Sequence, residues 1–195
     1  MSYSTVILAS WGLFMLVWAV GAFNVKRDIA GGAQWRYVAF RLVGVVLVVF
    51  AVTRILTGAA RYTKAGAVLG TGLFTPPLAL GWGGAALTVL GVLFAIWARV
   101  HLGRNWSSVP SAKEGHELVT SGPYRFVRHP IYTGVILATF GAALSGSVFG
   151  IGIFLIAAVV TSRRISIEER IMCDLFPDTY PAYQARTKKL IPFVW

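Results

Sequence analysis

The chain has 195 residues, of which 56% are hydrophobic and only 13% charged, with a mean hydropathy of +0.69 and a net charge of +11. This composition excludes an ordinary soluble domain and indicates an α-helical membrane protein, because several apolar stretches reach the roughly 20 residues that one crossing needs. In such a protein an excess of Lys and Arg typically faces anionic lipid in cytoplasmic loops, so we expect membrane lipids rather than nucleic acid as partners.

Three apolar segments are predicted in the N-terminal part of the chain, at about 4–23, 37–57 and 78–99. The first has no basic residue before it and is followed by further spans, so we interpret it as a permanent anchor rather than a cleaved secretory signal. The third contains glycines that would let neighbouring helices approach closely. These glycines are Gly81, Gly83, Gly84 and Gly91.

A longer apolar stretch, 131–162, exceeds one upright crossing but is too short for two full ones. Gly141, the run at 144–147 and Gly150 interrupt its middle. This predicts a helix-turn-helix hairpin with two arms of about 15 residues, each about 22 Å long. We therefore expect an all-α membrane protein with about five transmembrane helices, the last two forming this short hairpin.

The distribution of Lys and Arg favours this topology. If 131–162 is a hairpin, the polar connection 100–130 and the tail 163–195 share one side of the membrane, and the loop 24–36 falls on that side too. The positive-inside rule makes that side cytoplasmic and places the N-terminus outside. A single tilted helix over 131–162 would separate the two most basic segments across the membrane, and it stays open as the alternative.

The cytoplasmic tail, 163–195, is predicted to be amphipathic rather than spanning. If 163–176 is helical, a cation, a carboxylate and two apolar residues share one stripe, which we expect to point into the protein. Pro177 ends this helix, and Pro181 permits a short second turn. The stripe consists of Arg164, Glu168, Met172 and Leu175.

A polar cluster precedes the hairpin in the sequence GPYRFVRHPIYTG at 122–134. Pro130 suits the first turn of a helix, so His129 falls at the helix start, where backbone amides favour anionic groups. Arg164 and Glu168 leave the hairpin on the same membrane face. The residues alone leave two interpretations open, a polar site at an interfacial mouth or a simple i, i+4 ion pair beside basic residues that contact lipid phosphates.

Three motifs, HELVTSGPYRFVRHPIY at 116–132, EERIMCDLFPDTYPAY at 168–183 and KKLIPF at 188–193, resemble the isoprenylcysteine carboxyl methyltransferase family and its bacterial and archaeal relatives. More distantly, they are similar to the phospholipid N-methyltransferases. The resemblance covers roughly 100–195, whereas 1–99 is similar only as a run of membrane spans. It implies N-terminal transmembrane helices at 1–99 and a methyltransferase region at 100–195, in a bacterial or archaeal cell membrane, with a cytoplasmic active site.

The resemblance also implies S-adenosylmethionine as the methyl donor and a lipophilic, isoprenylcysteine-like acceptor. Arg164 is expected to hold the carboxylate that is methylated, which makes it both the catalytic and the substrate-binding residue. A further family position with a polar side chain falls here on Val109, which cannot supply a side-chain hydrogen bond. The cofactor contacts implied are His116, Glu117, Leu118, Val119, Tyr124, His129, Pro130, Ile131, Tyr132 and Glu168.

The residue types suit this chemistry. S-adenosylmethionine carries a sulfonium, an ammonium and a carboxylate, so Glu168 can pair with a cationic part while His129 and the tyrosine hydroxyls bind the anionic part. A carboxylate acceptor is ionised at neutral pH and needs a guanidinium to hold it rather than a general base. An amine acceptor would need a group to take up its proton, for which Glu169 is the nearest candidate.

Other functions stay open at this point. They are N-methylation of a phospholipid amine, a membrane reductase that uses NAD(P)H on a similar helical framework, and a non-catalytic lipid-binding module. The single cysteine, Cys173, excludes an internal disulfide and a thiolate metal cluster. The three histidines lack metal-ligand spacing, so we expect no metal.

Overall fold

The computed structural model describes residues 2–21, 76–106, 115–145 and 148–191. The predicted segment 37–57 and the position of Val109 lie outside these residues. The described residues form no β-strand, and their helices come in chain order with two 3₁₀ turns, at Gly103–Asn105 and Gly122–Arg125. The α-helices are α1 (Tyr3–Gly21), α2 (Leu78–Leu102), α3 (Pro130–Leu144), α4 (Val148–Leu175) and α5 (Tyr180–Arg186).

Helices α1 and α2 correspond to the first and third predicted segments, and both are long and apolar enough to cross a membrane. Helix α3 is apolar but shorter, with 15 residues. Large apolar side chains stand exposed along these helices, which suits contact with lipid rather than water. Examples are Leu13, Leu16, Leu90, Leu93 and Trp97.

Contacts at both ends show that α1 and α2 run parallel. Near their N-terminal ends, Gly81 of α2 lies against the ring of Tyr3. Near their C-terminal ends, Arg99 of α2 donates from Nη2 to the carbonyl oxygen of Gly21 at 2.7 Å, and from Nη1 to that of Gly103 at 2.9 Å. The C-terminal ends of the two helices therefore lie at the same side of the fold.

Helix α3 packs closely along α2 at two pairs of glycines. A Cβ added to Gly91 would lie 2.5 Å from the carbonyl oxygen of Gly134, and Gly84 faces Gly141 at the same distance. Between the pairs, the buried Thr88 donates its hydroxyl to a carbonyl of α2 at 2.9 Å and to one of α3 at 3.2 Å. The prediction that glycines of α2 permit close helix packing is confirmed at Gly84 and Gly91.

Two other glycines behave differently from Gly84 and Gly91. Among the described residues, no atom lies within 4 Å of a Cβ placed on Gly83, so Gly83 takes no part in the packing of α3 on α2. Gly141 was expected to help interrupt the apolar stretch 131–162 at the turn of the hairpin, but it lies inside α3 and contacts the backbone of α2. Glycine destabilises the interior of a helix because its backbone loses more conformational freedom on folding. At Gly141 the absence of a side chain lets α3 approach α2 closely, and this packing offsets that cost.

The predicted hairpin is present, but its second arm is longer than expected. Helix α3 has the predicted 15 residues, the chain turns after Leu144, and the ring of Phe154 in α4 returns to pack against Phe140 at 5.4 Å. Helix α4 is then one helix of 28 residues, rather than a short arm followed by a separate tail helix. No Pro or Gly occurs between 153 and 175, so only the polarity changes near Arg163 and the backbone continues.

The tail folds back beside the segment that precedes α3. Pro177 follows α4, and Pro181 lies in the first turn of α5, as predicted. The hydroxyl of the buried Tyr183 donates to the carbonyl of Tyr124 at 2.6 Å. The backbone amides at 128–129 donate to the carbonyls of residues 188–189 at 2.8 and 3.1 Å. These bonds fix the start of α3 against the tail.

Candidate active site

A cavity of about 480 Å³ lies where α1, the end of α2, the hairpin and α5 meet. This volume is within the range of small-molecule sites. Pro130, a predicted site residue, is fully buried as the first residue of α3 and does not line the cavity. All the other predicted site residues line it, namely His116, Glu117, Leu118, Val119, Tyr124, His129, Ile131, Tyr132, Arg164 and Glu168.

One group of polar side chains on the cavity wall consists of Tyr132, Arg164 and Glu168, here called the mouth cluster. Successive turns of α4 carry Arg164 and Glu168, and Arg164 Nε donates to Glu168 Oε1 at 2.9 Å. Tyr132, in the first turn of α3, donates its hydroxyl to the same oxygen at 2.6 Å. The i, i+4 pair considered from the sequence is therefore formed, and it lies on the cavity wall.

A second group lies one residue further along α4 and is here called the clamp; it comprises Arg128, Glu169 and Lys189. Arg128 Nε donates to Glu169 Oε1 at 2.8 Å, and Lys189 Nζ lies 3.7 Å from the other oxygen. Arg128 Nη1 also donates to the carbonyls of Gln184, at 3.0 Å, and Thr187. The clamp thus ties the start of α3 to α4 and to the tail.

The clamp determines the protonation state of Glu169, which lies in the polar C-terminal half of α4, beyond its apolar part. Burial by itself would raise the pKa of Glu169, but hydrogen bonds from His129 and Arg128 outweigh this and lower the pKa to about 2. Glu169 also does not line the cavity. The structure therefore does not support the hypothesis that Glu169 takes up a proton from an amine acceptor.

His129 connects the two groups. Its Nε2 lies 3.3 Å from Glu169 Oε1, and its Nδ1 lies 3.7 Å from Glu168 Oε2. Its ring stacks on Tyr132 at 5.8 Å between ring centres. As predicted, His129 directly precedes the first residue of α3, so the backbone amides of that helix start face the same region.

The stretch 116–119 forms another side of the cavity. The His116 ring lies edge-on to Phe176 at 5.9 Å, which places this stretch beside the end of α4. The side chains of Leu118 and Val119 are apolar, so any hydrogen bond from them to a ligand must come from their backbone groups.

The lining residues that sequence reasoning did not assign to the site include Phe14 and Trp18 of α1, and Asn105 and Trp106 after α2. These are called the N-terminal wall. Phe14 and Trp18 stack at 3.9 Å, and Trp18 meets Trp106 edge-on at 6.4 Å. The i, i+4 spacing of Phe14 and Trp18 could have predicted that their rings meet on one face of α1. The contact between α1 and 105–106 could not be predicted from the sequence, because it joins parts of the chain that are far apart.

Comparison with known proteins supports the resemblance. A family model described as the isoprenylcysteine carboxyl methyltransferase (ICMT) family matches residues 84–174. Residues 84–174 are therefore similar to members of this family. The match begins inside α2, earlier than the sequence motifs indicated, and includes both α3 and α4 as far as 174.

Individual relatives show the same similarity. The protein-S-isoprenylcysteine O-methyltransferase of Schizosaccharomyces pombe is 32% identical over 109 residues, 54% of this chain and 46% of that protein. Methanethiol S-methyltransferase 1 of Bradyrhizobium diazoefficiens is 45% identical over 73 residues, 36% of this chain and 24% of that protein. The chain therefore spans between a quarter and half of the length of these relatives.

The structural comparison gives the fold. The solved structure of the eukaryotic intramembrane Ras methyltransferase ICMT matches this structure with a TM-score of 0.52 and 27% sequence identity. The match covers 60% of this chain and 46% of that protein. The protein thus has an ICMT-like helical membrane fold.

Proposed function

We propose that this protein is a membrane methyltransferase that uses S-adenosylmethionine to methylate a carboxylate on a lipophilic acceptor. The observation that carries the proposal is the meeting of Arg164, Glu168 and the start of α3 on the wall of one cavity. The match of residues 84–174 to the ICMT family model, and the similarity to relatives named as methyltransferases, support it.

The predicted cofactor residues suit a small zwitterionic molecule. Glu168 supplies a carboxylate for a cationic group, and its side chain is about a quarter exposed, so a ligand can reach it. His129 and the backbone amides at the start of α3 suit an anionic group. When bound, S-adenosylmethionine supplies an already activated methyl group, so the residues of the cavity need only orient the reactants and exclude water.

Arg164 is proposed to hold the carboxylate that receives the methyl group. A guanidinium presents its donors in a planar fork that matches a carboxylate, and it stays charged at neutral pH. Tyr132 and Glu168 fix the position of Arg164 before an acceptor arrives. A cation that is already in position lowers the entropy cost of orienting the acceptor carboxylate for methyl transfer.

The proposed topology has five membrane segments, a cytoplasmic cavity and an external N-terminus. The parallel course of α1 and α2 and the hairpin of α3 and α4 are consistent with it. The division into N-terminal helices at 1–99 and a methyltransferase region at 100–195 stays a prediction. The cavity takes residues from both sides of that boundary.

A second candidate function is methylation of a thiol. It is favoured by the 45% identity to a relative named methanethiol S-methyltransferase 1. A thiolate is an anion, so Arg164 could hold it as it would hold a carboxylate. An amine acceptor is less well served, because Glu169 has a pKa of about 2 and does not line the cavity.

The proposal is tested by incubating the purified protein in lipid nanodiscs with isotopically labelled S-adenosylmethionine and three acceptors. These are an N-acylated S-prenylcysteine, an alkyl thiol and a phospholipid amine, and the products are identified by mass spectrometry. We expect label in a base-labile methyl ester of the first acceptor.

Other results would replace the proposal with one of its alternatives. Label on the thiol or amine alone would change the acceptor class. An absence of both transfer and donor binding would favour a non-catalytic lipid-binding module. Protection against heat by NAD(P)H, but not by S-adenosylmethionine, would favour the reductase.

A further inference from the structure

The N-terminal wall differs in chemistry from the rest of the cavity. Among the described lining residues, those contributed by α1 and by the end of α2 through Trp106 carry no charge. The charged lining residues come from the stretch before α3 and from the polar half of α4. A methyl donor with three charged groups finds its partners there, whereas the N-terminal wall suits a neutral, apolar molecule.

Arg99 contacts Trp106 of the N-terminal wall and fixes its position. This side chain is only 4% exposed, and its guanidinium lies 4.4 Å from the centre of the Trp106 ring. Its two hydrogen bonds to the carbonyls of Gly21 and Gly103 link the ends of α1 and α2 at this point. Trp18 and Trp106 therefore form a preorganised aromatic surface, which lowers the entropy cost of binding.

Asn105 adds one polar group to this apolar surface. The residue lines the cavity and is only 8% exposed. Its buried carboxamide oxygen has no hydrogen-bond partner within the part of the chain that the structure describes. A buried acceptor without a partner is costly, and such groups tend to persist where a ligand completes them.

We propose that the N-terminal wall is the acceptor subsite, and that Asn105 accepts a hydrogen bond from an N–H or O–H group of the acceptor. This inference rests on the proposed function and deepens it. The occupant is an amphiphile whose apolar body packs on Trp18 and Trp106, whose hydrogen-bond donor meets Asn105, and whose anionic end reaches Arg164.

The position of the wall in the fold favours the acceptor over the methyl donor as its occupant. Phe14 and Trp18 belong to α1, a helix long and apolar enough to span the bilayer. A molecule dissolved in lipid can reach that surface, whereas a water-soluble zwitterion has no charged partner on it. The subsite therefore selects acceptors by their apolar body and by the presence of one donor group.

The test compares two probes in the wild type and in Asn105→Leu. One probe is an N-acylated S-prenylcysteine with its amide N–H, and the other carries an N-methyl group in place of that hydrogen. Binding of each probe to protein saturated with S-adenosylhomocysteine, which has no methyl group to transfer, is measured by calorimetry, so the readout does not depend on turnover. We expect the wild type to bind the N–H probe about tenfold more tightly, and Asn105→Leu to bind both equally.

Stability separates this role from a structural one. Asn105→Leu removes an unsatisfied acceptor, so we expect its melting temperature to be unchanged or higher and its affinity for S-adenosylmethionine to stay within about twofold. A lower melting temperature with unchanged discrimination between the probes would overturn the proposal. So would a large loss of S-adenosylmethionine affinity, since the wall would then belong to the methyl donor.

A matched pair of tryptophan variants tests the apolar part of the subsite. Trp18 lines the cavity, whereas Trp97 lies on the outer face of α2 and is 48% exposed. Trp18→Leu should weaken binding of the N–H probe by about tenfold, and Trp97→Leu should leave it unchanged. Equal effects would overturn the subsite.

The proposed function can fail separately from the subsite. If the wild type neither binds S-adenosylmethionine nor transfers its methyl group, the proposed function fails, while probe binding without S-adenosylmethionine still reports on the wall. If the wild type transfers methyl groups but neither Asn105→Leu nor Trp18→Leu alters probe binding, only the acceptor subsite fails.

Discussion

The mouth cluster and the clamp each contain an arginine and a glutamate, and their glutamates are consecutive residues of α4. In the clamp, the side chains of Arg128 and Glu169 are 8% and 11% exposed. In the mouth cluster, those of Arg164 and Glu168 are 29% and 24% exposed. Consecutive residues of a helix point in directions about 100° apart, so one carboxylate meets the tail and the other meets the cavity.

This difference in burial separates a structural role from a ligand-binding role. A buried, fully hydrogen-bonded pair is costly to break, because either partner alone is left charged in a poorly solvated place. A partly exposed i, i+4 pair contributes little to stability, so its members can exchange partners with a ligand at small cost. The same residue types thus hold the fold together at one position and remain available for binding at the next.

The largest expected effect concerns Arg164. Arg164→Ala should reduce methyl transfer to a carboxylate by about 10³-fold, because the acceptor loses the cation that orients it. Affinity for S-adenosylmethionine should stay within about threefold. Single-turnover kinetics and calorimetry check the two statements. The matched control is Arg163→Ala, which removes an exposed arginine next to it, and equal losses in both variants would contradict the assignment.

The clamp should dominate stability. Glu169→Gln leaves Arg128 buried without a countercharge, and we expect a loss of about 2–4 kcal/mol in the free energy of unfolding. For a chain of this size that corresponds to a melting temperature lower by roughly 5–10 °C. Glu168→Gln should lower it by less than about 3 °C. Thermal unfolding in detergent compares the two variants, and a larger loss in Glu168→Gln would reverse the comparison.

The pH dependence of stability follows from the clamp. The pKa of Glu169 falls from its ordinary value of 4.5 to about 2 in the folded protein. Its contribution to stability is therefore fully present above pH 4.5 and is lost as the pH falls from 4.5 towards 2. The melting temperature of the wild type should decline more steeply over this window than that of Glu169→Gln. Parallel curves would show that the clamp does not lower the pKa of Glu169.

A smaller effect is expected where the tail meets α3. Thr133 donates its hydroxyl to the carbonyl of Leu190 at 2.7 Å, so Thr133→Val should cost about 1 kcal/mol. Within the described residues, Thr139 donates to carbonyls of its own helix, those of Val135 and Ile136, and Thr139→Val is the matched control. Limited proteolysis should cut the tail faster in Thr133→Val alone, and equal rates in the two variants would count against tail docking at this bond.

Much of the fold was predictable because strong local signals mark it. Pro130 begins α3, Pro177 follows the end of α4, and the apolar lengths of α1 and α2 identify them as spans. The end of the hairpin was less predictable. A change of polarity near Arg163 suggested a break, but a helix ends only where its backbone or capping requires it, and no Gly or Pro stands there.

The candidate site, like the fold, was predictable only where local sequence motifs mark it. The motif residues around His129 and Glu168 were found from their order along the chain, and they line the cavity. The distinction between Glu168 and Glu169 was not readable, since it depends on which neighbour each side chain meets. Phe14 and Trp18 were missed because only tertiary packing brings α1 to Trp106.

The most direct test of the central claim is the affinity for S-adenosylmethionine of the wild type, Glu168→Gln and Glu169→Gln, measured side by side by calorimetry. If the mouth cluster receives the methyl donor and the clamp only supports it, Glu168→Gln should bind about tenfold or more weakly, while folded Glu169→Gln stays within about threefold of the wild type. Equal affinity in all three proteins, or a loss confined to Glu169→Gln, would contradict the account.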